Sequence, residues 1–68
     1  MIGATSYYLV ATYDDGQYFI SCVDDDTERW VRSKEVYYFK DYVTATQVAK
    51  FVKDGNSGTL KSVQLLWV

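Results

Sequence analysis

The side chains that could do chemistry fall in two adjacent stretches. Asp24-Asp25-Asp26-x-Glu28 is the densest group of carboxylates, the kind of oxygen set that a hard cation such as Ca²⁺ or Mg²⁺ takes. It lacks the glycine and the distal glutamate of an EF-hand loop, so its expected form is a solvated acidic turn. Paired carboxylates also serve glycosidic acid–base catalysis, but that needs a cleft, and 68 residues hold little material for one. There is no histidine, which removes the usual general base and the commonest metal ligand. The one cysteine, Cys22, excludes an intramolecular disulfide and a Cys-based zinc site. Set within Tyr18-Phe19-Ile20-Ser21-Cys22-Val23, it reads as a small core residue suited to a reducing compartment. The expectation is a chain that is not an enzyme, with no catalytic residues, no metal site and no cofactor.

The second stretch, residues 29–40, interleaves Arg29, Arg32, Lys34 and Lys40 with Trp30, Tyr37, Tyr38 and Phe39. Bases among aromatics can neutralise phosphate and stack single-stranded bases, which makes single-stranded nucleic acid one candidate ligand. Two features weigh against it. The formal charge of the chain is −2, and Val36-Tyr37-Tyr38-Phe39-Lys40-Asp41-Tyr42 lacks the glycines of the RNA-recognition motif. Charge is also divided along the chain. Residues 1–28 hold acids and no base, whereas all seven bases lie from Arg29 onward. Such a division arises when acidic loops fold beside basic strands, and also in a docking field.

The elements that must position these residues begin with a hairpin. Ser6 to Tyr13 and Tyr18 to Val23 are rich in aromatic and β-branched residues and flank Asp14-Asp15-Gly16-Gln17. A two-residue Asp15-Gly16 turn would set Tyr13 opposite Tyr18, Ala11 opposite Ile20 and Leu9 opposite Cys22. Tyr7, Leu9, Ala11, Tyr13, Tyr18, Ile20 and Cys22 then share a core-like face, and Tyr8, Val10, Thr12, Gln17, Phe19, Ser21 and Val23 the other. A three-residue loop would shift the pairing by one. A third strand is expected at Arg29 to Arg32 and a further short one at Val36 to Phe39. Thr44-x-x-Gln47 matches a capping box, and Ala45, Val48, Ala49 and Val52 follow at helical spacing with Phe51 beside them. Gly55 is placed as a left-handed C-terminal residue, which gives a helix from about Ala45 to Asp54. Thr59 to Val68 reads as a final strand paired inside the sheet.

The expected fold is therefore a single α+β domain over residues 1–68. It has two layers: an antiparallel or mixed sheet of four or five strands, with one helix on one face, in the order β-β-β-(β)-α-β. A ten-residue helix spans about 15 Å and covers only part of one sheet face. The other face has no element to cover it, and three Phe, two Trp and seven Tyr must go somewhere. An exposed aromatic face of that kind marks an interaction surface, and a twofold homodimer is the commonest solution. The expected binding residues are Tyr8, Phe19, Trp30, Arg29, Arg32, Tyr37 and Phe39. An extended segment added at a sheet edge is a further way for such a domain to bind.

The succession of strand, Asp-Gly, strand, acidic loop, Trp, aromatic segment, Ala-containing helix and apolar last strand, from Tyr8 to Val68, resembles short accessory proteins of phages and prophages of Gram-positive bacteria. That resemblance implies a protein that binds a host or phage macromolecule, as inhibitors of host enzymes do. Ala11-Thr12-Tyr13-Asp14-Asp15 also resembles the Ala-Leu-Tyr-Asp-Tyr segment of SH3 domains. The following spacings are compressed, however, and a helix stands where the last SH3 turn would be. Met1 to Ser6 has no basic start leading into an apolar core, and no apolar run nears the roughly 18 residues of a membrane span. A cytoplasmic protein without membrane contact is expected.

Overall fold

Alternation of apolar and polar residues at a period of two builds the sheet. The computed structural model describes residues 5–24, 29–55 and 58–68. The strands are β1 (Tyr7–Tyr13), β2 (Gly16–Asp24), β3 (Arg29–Ser33) and β4 (Leu60–Trp67), with α1 (Tyr42–Asp54) between β3 and β4. They form one sheet in the order β3-β2-β1-β4, and every pairing is antiparallel. The α+β class with one helix and a four-stranded sheet is thus the observed fold. The acidic turn at residues 25–28, the side chain of Cys22 and residues 56–57 of the Gly/Ser loop lie outside the described residues.

The hairpin differs from expectation in register but not in faces. Thr12 pairs with Gln17 and Tyr13 with Gly16, so the loop is Asp14-Asp15 rather than Asp15-Gly16. Tyr13 therefore does not oppose Tyr18, and Ala11 opposes Tyr18 instead of Ile20. Gly16 supplies φ +134, a backbone conformation that other residues rarely adopt, as the first residue of β2. A shift of two residues moves partners along the strand without exchanging sides. Leu9, Ala11, Tyr13 and Ile20 accordingly stay together in the core.

The predicted strand at Val36 to Phe39 contracts to one bridge. β2 pairs with β1 only as far as Phe19 opposite Val10, and beyond that point it pairs with β3 alone. Phe39 takes the vacated side of β1: its N–H donates to Tyr7 O at 2.7 Å and its carbonyl accepts from Tyr7 N at 2.9 Å. Ser21 Oγ reaches across to Glu35 O at 3.3 Å, fastening the same segment to β2. The incoming chain thus fills the gap where the sheet divides.

The helix starts earlier than the capping box predicts. Asp41 is the N-cap, with extended φ and ψ, and its Oδ2 accepts from Thr44 N at 3.0 Å and from Thr44 Oγ1 at 2.9 Å. Thr44 is therefore the residue that is capped, and a carboxylate outcompetes its hydroxyl for the first turn. At the other end Gly55 has φ −85 and not the left-handed value; the positive φ of +103 falls on Gly58. Ala45, Val48 and Val52 are buried against the sheet, and α1 packs on β4 and β1. Phe51 lies outside this stripe at 63% exposure. Among the described residues β4 pairs with β1 alone, so it is an edge strand rather than an interior one.

Candidate functional site: the open face of the sheet

Pairing determines which side chains share the face away from α1. From β1 come Tyr8, Val10 and Thr12; opposite them on β4 stand Leu66, Gln64 and Ser62. β2 adds Gln17, Phe19 and Ser21, and β3 adds Ser33, Val31 and, at its first position, Arg29. Of these twelve residues one is charged, Arg29 at the outer end of β3, in a chain that is 24% charged. Interfaces between proteins show the same depletion of charge at their centre and the same enrichment in aromatics.

The centre of this face is an aromatic cluster. Tyr8 lies 6.0 Å from Phe19 and 6.0 Å from Tyr38, the latter in an edge-on arrangement. Tyr38 is 49% exposed, and Tyr8 and Phe19 are half-buried beside it. Next to Phe19 a shallow depression of about 260 Å³ is lined by Val10, Gln17, Tyr18, Ser33 and Lys34. Tyr38 was not among the expected binding residues. Period-two alternation through Tyr37-Tyr38-Phe39 could have found it, because an extended segment whose Phe39 faces the core must turn Tyr38 the other way.

Four of the other five expected residues lie on the helix side. Phe39 is 3% exposed and belongs to the core, which leaves no ring surface for a partner. Trp30 and Tyr37 are half-buried against it, with centroid distances of 5.3 Å from Trp30 to Phe39, 4.9 Å from Tyr37 to Phe39 and 5.8 Å from Trp30 to Tyr37. Arg32 sits over the rings of Tyr13 and Tyr18, at 4.6 and 4.7 Å, and contacts Asp15 Oδ1 at 3.3 Å. Lys34 Nζ lies 4.1 Å from the centre of the Tyr18 ring and donates to Gln17 O at 3.3 Å. Arg29 is exposed at the start of β3. The structure therefore divides the seven expected residues: Tyr8 and Phe19 come together on the open face, Arg29 stands exposed at the edge of that face, and Trp30, Arg32, Tyr37 and Phe39 engage neighbours on the helix side.

Among the described residues the buried set is wholly hydrophobic, and no buried polar side-chain atom lacks a hydrogen-bond partner. Among the described residues no helix is long and apolar enough to cross a membrane. No protein-family model matches the chain, and comparisons with curated proteins and with solved structures likewise find no match.

Proposed function

We propose that the chain is a non-catalytic binding module whose open sheet face, centred on Tyr8, Phe19 and Tyr38, docks on another protein. The observation that carries this reading is a face of twelve strand residues with an aromatic centre and one charge, Arg29, at its edge. Polar residues such as Thr12, Gln17, Ser62 and Gln64 edge the patch, which is the anatomy of a contact that forms and dissolves rather than of a permanent core. Work in the cytoplasm, as an accessory or inhibitory protein of phage type, agrees with this role and with the resemblance that the element pattern carries.

Single-stranded nucleic acid is the weaker reading. Arg32 and Lys34 are held over Tyr18, and Trp30, Tyr37 and Phe39 pack edge-on or tilted against one another. Arg32 and the rings of Trp30, Tyr37 and Phe39 are thus engaged internally, while at the exposed aromatics the cations, Lys34 beside Phe19 and Arg29 at the end of β3, stand to one side of the Tyr8–Tyr38 centre. Stacking platforms for nucleic acid need both together.

The test is capture of proteins on immobilised chain from a lysate of the organism that carries the gene. A Tyr8→Ser/Phe19→Ser variant should keep the wild-type far-UV circular dichroism and lose the proteins that wild type retains at high salt. Retention of the same proteins by the variant would refute the reading. Salt-sensitive binding of oligonucleotides would favour the alternative, because phosphate contacts release counterions.

A further inference from the structure

The two edges of the sheet are not alike. β3 is five residues long and carries Arg29 and Arg32, which blunts it against further pairing. β4 is eight residues long, and from Ser62 to Trp67 it has neither charge nor proline. Its only charge, Lys61, coincides with a register shift: Thr12 pairs with Ser62 and Tyr13 with Leu60, so Lys61 is the extra residue of a bulge. There it lies 3.9 Å from Asp14 Oδ1. The bulge ends the regular edge and leaves Ser62 to Trp67 as a regularly paired, uncharged template.

Hydrogen-bond phase shows which groups that template presents. Val68 N donates to Ser6 O at 3.0 Å and Ser6 N to Val68 O at 3.4 Å, so this is a bonded pair. Bonded and non-bonded pairs alternate along an antiparallel ladder. Leu66, Gln64 and Ser62 therefore turn their backbone groups toward β1, and Trp67, Leu65 and Val63 turn theirs outward. Tyr7 agrees with this phase, since its own N–H and C=O point away from Trp67 toward Phe39. No strand among the described residues pairs with the outward row.

We infer that this edge pairs with β4 of a second copy of the chain, antiparallel, about a twofold axis at Leu65. This register uses every outward residue of the regular stretch: Leu65 opposes Leu65 of the second copy and Val63 opposes its Trp67, giving about six inter-chain hydrogen bonds. On the helix side the contact is apolar throughout, and it covers Trp67, which is 67% exposed. On the open side Gln64 opposes Leu66 of the second copy. The two Lys61 residues fall beyond the two ends of the pairing, so like charges never face each other. A register centred on Gln64 instead sets Trp67 against the bulge and leaves fewer bonds. The stretch is complementary to itself, which selects a second copy over a foreign strand.

Size-exclusion chromatography with light scattering should find twice the chain mass at tens of micromolar. A monomer at hundreds of micromolar would overturn the inference. Trp67→Pro removes only an outward N–H, a change edge strands tolerate, and should give a monomer with unchanged circular dichroism. A dimeric Trp67→Pro variant would count against the edge. Register is read separately, in a Cys22→Ser background. An oxidised mixture of Gln64→Cys and Leu66→Cys chains should cross-link between the two variants, because non-bonded partners bring their Cα atoms within disulfide range. Gln64→Cys alone cross-linking as fast as the mixture would refute the Leu65 centre. The open-face variant Tyr8→Ser/Phe19→Ser should remain dimeric, so failure of the edge and failure of the binding face are distinguishable.

Discussion

Tyr38 and Phe39 are neighbours in sequence and should differ sharply in what they contribute. Phe39 is 3% exposed and packs on Trp30 at 5.3 Å and Tyr37 at 4.9 Å, while its backbone closes the sheet against Tyr7. Truncation to alanine leaves a cavity among residues already held by the sheet, and such losses run about 3–5 kcal/mol. Domains of 68 residues have about 3–10 kcal/mol of total stability, so Phe39→Ala should remove from about a third of it to all of it. Tyr38→Ala removes a half-exposed ring with one edge-on contact to Tyr8, which is worth about 1 kcal/mol. With a urea slope of about 1 kcal/mol/M for so small a protein, the midpoint should fall by about 1 M for Tyr38→Ala. Phe39→Ala should show no folded baseline, or a midpoint at least about 3 M lower than wild type. Far-UV circular dichroism is the suitable probe, because Trp30 fluorescence responds directly to loss of the adjacent Phe39 ring. Equal midpoints for the two variants, or the larger loss at Tyr38, would refute the placement of this segment and with it the composition of the open face.

Two further changes test the local devices that hold the fold. Asp41→Ala should cost about 1 kcal/mol by orphaning the first-turn donors, and lower the midpoint of thermal unfolding by about 4–8 °C. Thr44→Val keeps its N–H on Asp41 Oδ2 and loses only the hydroxyl bond, so its thermal midpoint should fall less; the reverse order would restore Thr44 as the cap. Gly16→Ala meets no atom within 4 Å, so its cost comes from φ +134 alone, about 1–3 kcal/mol by urea unfolding. An unchanged midpoint would mean that the turn relaxes to another type.

The elements with strong periodicity were legible in the sequence, and the places where several weak signals compete were not. Leu9, Ala11 and Tyr13 alternate with polar or mixed neighbours, and that alone separates the core face from the open face whatever the hairpin register. Register itself depends on which two of Asp14, Asp15 and Gly16 form the loop, and all three suit turns. Asp41 and Thr44 are both good N-caps; Tyr42 and Val43 between them are 56% and 57% exposed and give no apolar stripe to mark the first turn. Residues 36–39 have strand composition without strand pairing, because β2 and β3 run on together and only one position of β1 is left for Phe39. That competition is non-local, and it is what sends Trp30, Tyr37 and Phe39 to the helix side although their residue types suit an exposed face equally well.

The open face and the β4 edge bear on each other through symmetry. A twofold axis through paired antiparallel edges stands perpendicular to the sheet, so both open faces of a β4–β4 dimer look the same way. Leu66 and Gln64 then become the middle of a continuous surface instead of its rim, flanked by one Tyr8, Phe19 and Tyr38 cluster from each copy. A single domain of 68 residues cannot offer a large binding surface, since four strands at about 4.8 Å spacing make a sheet less than 20 Å wide. Pairing through β4 doubles that width while leaving every residue of the aromatic cluster exposed as before. Association through the open face would do the opposite, burying the cluster against its own copy and removing it from any other protein. The edge is therefore the route to self-association that is compatible with binding, and a twofold or repetitive target would engage both clusters at once with the gain in effective concentration that bivalence brings.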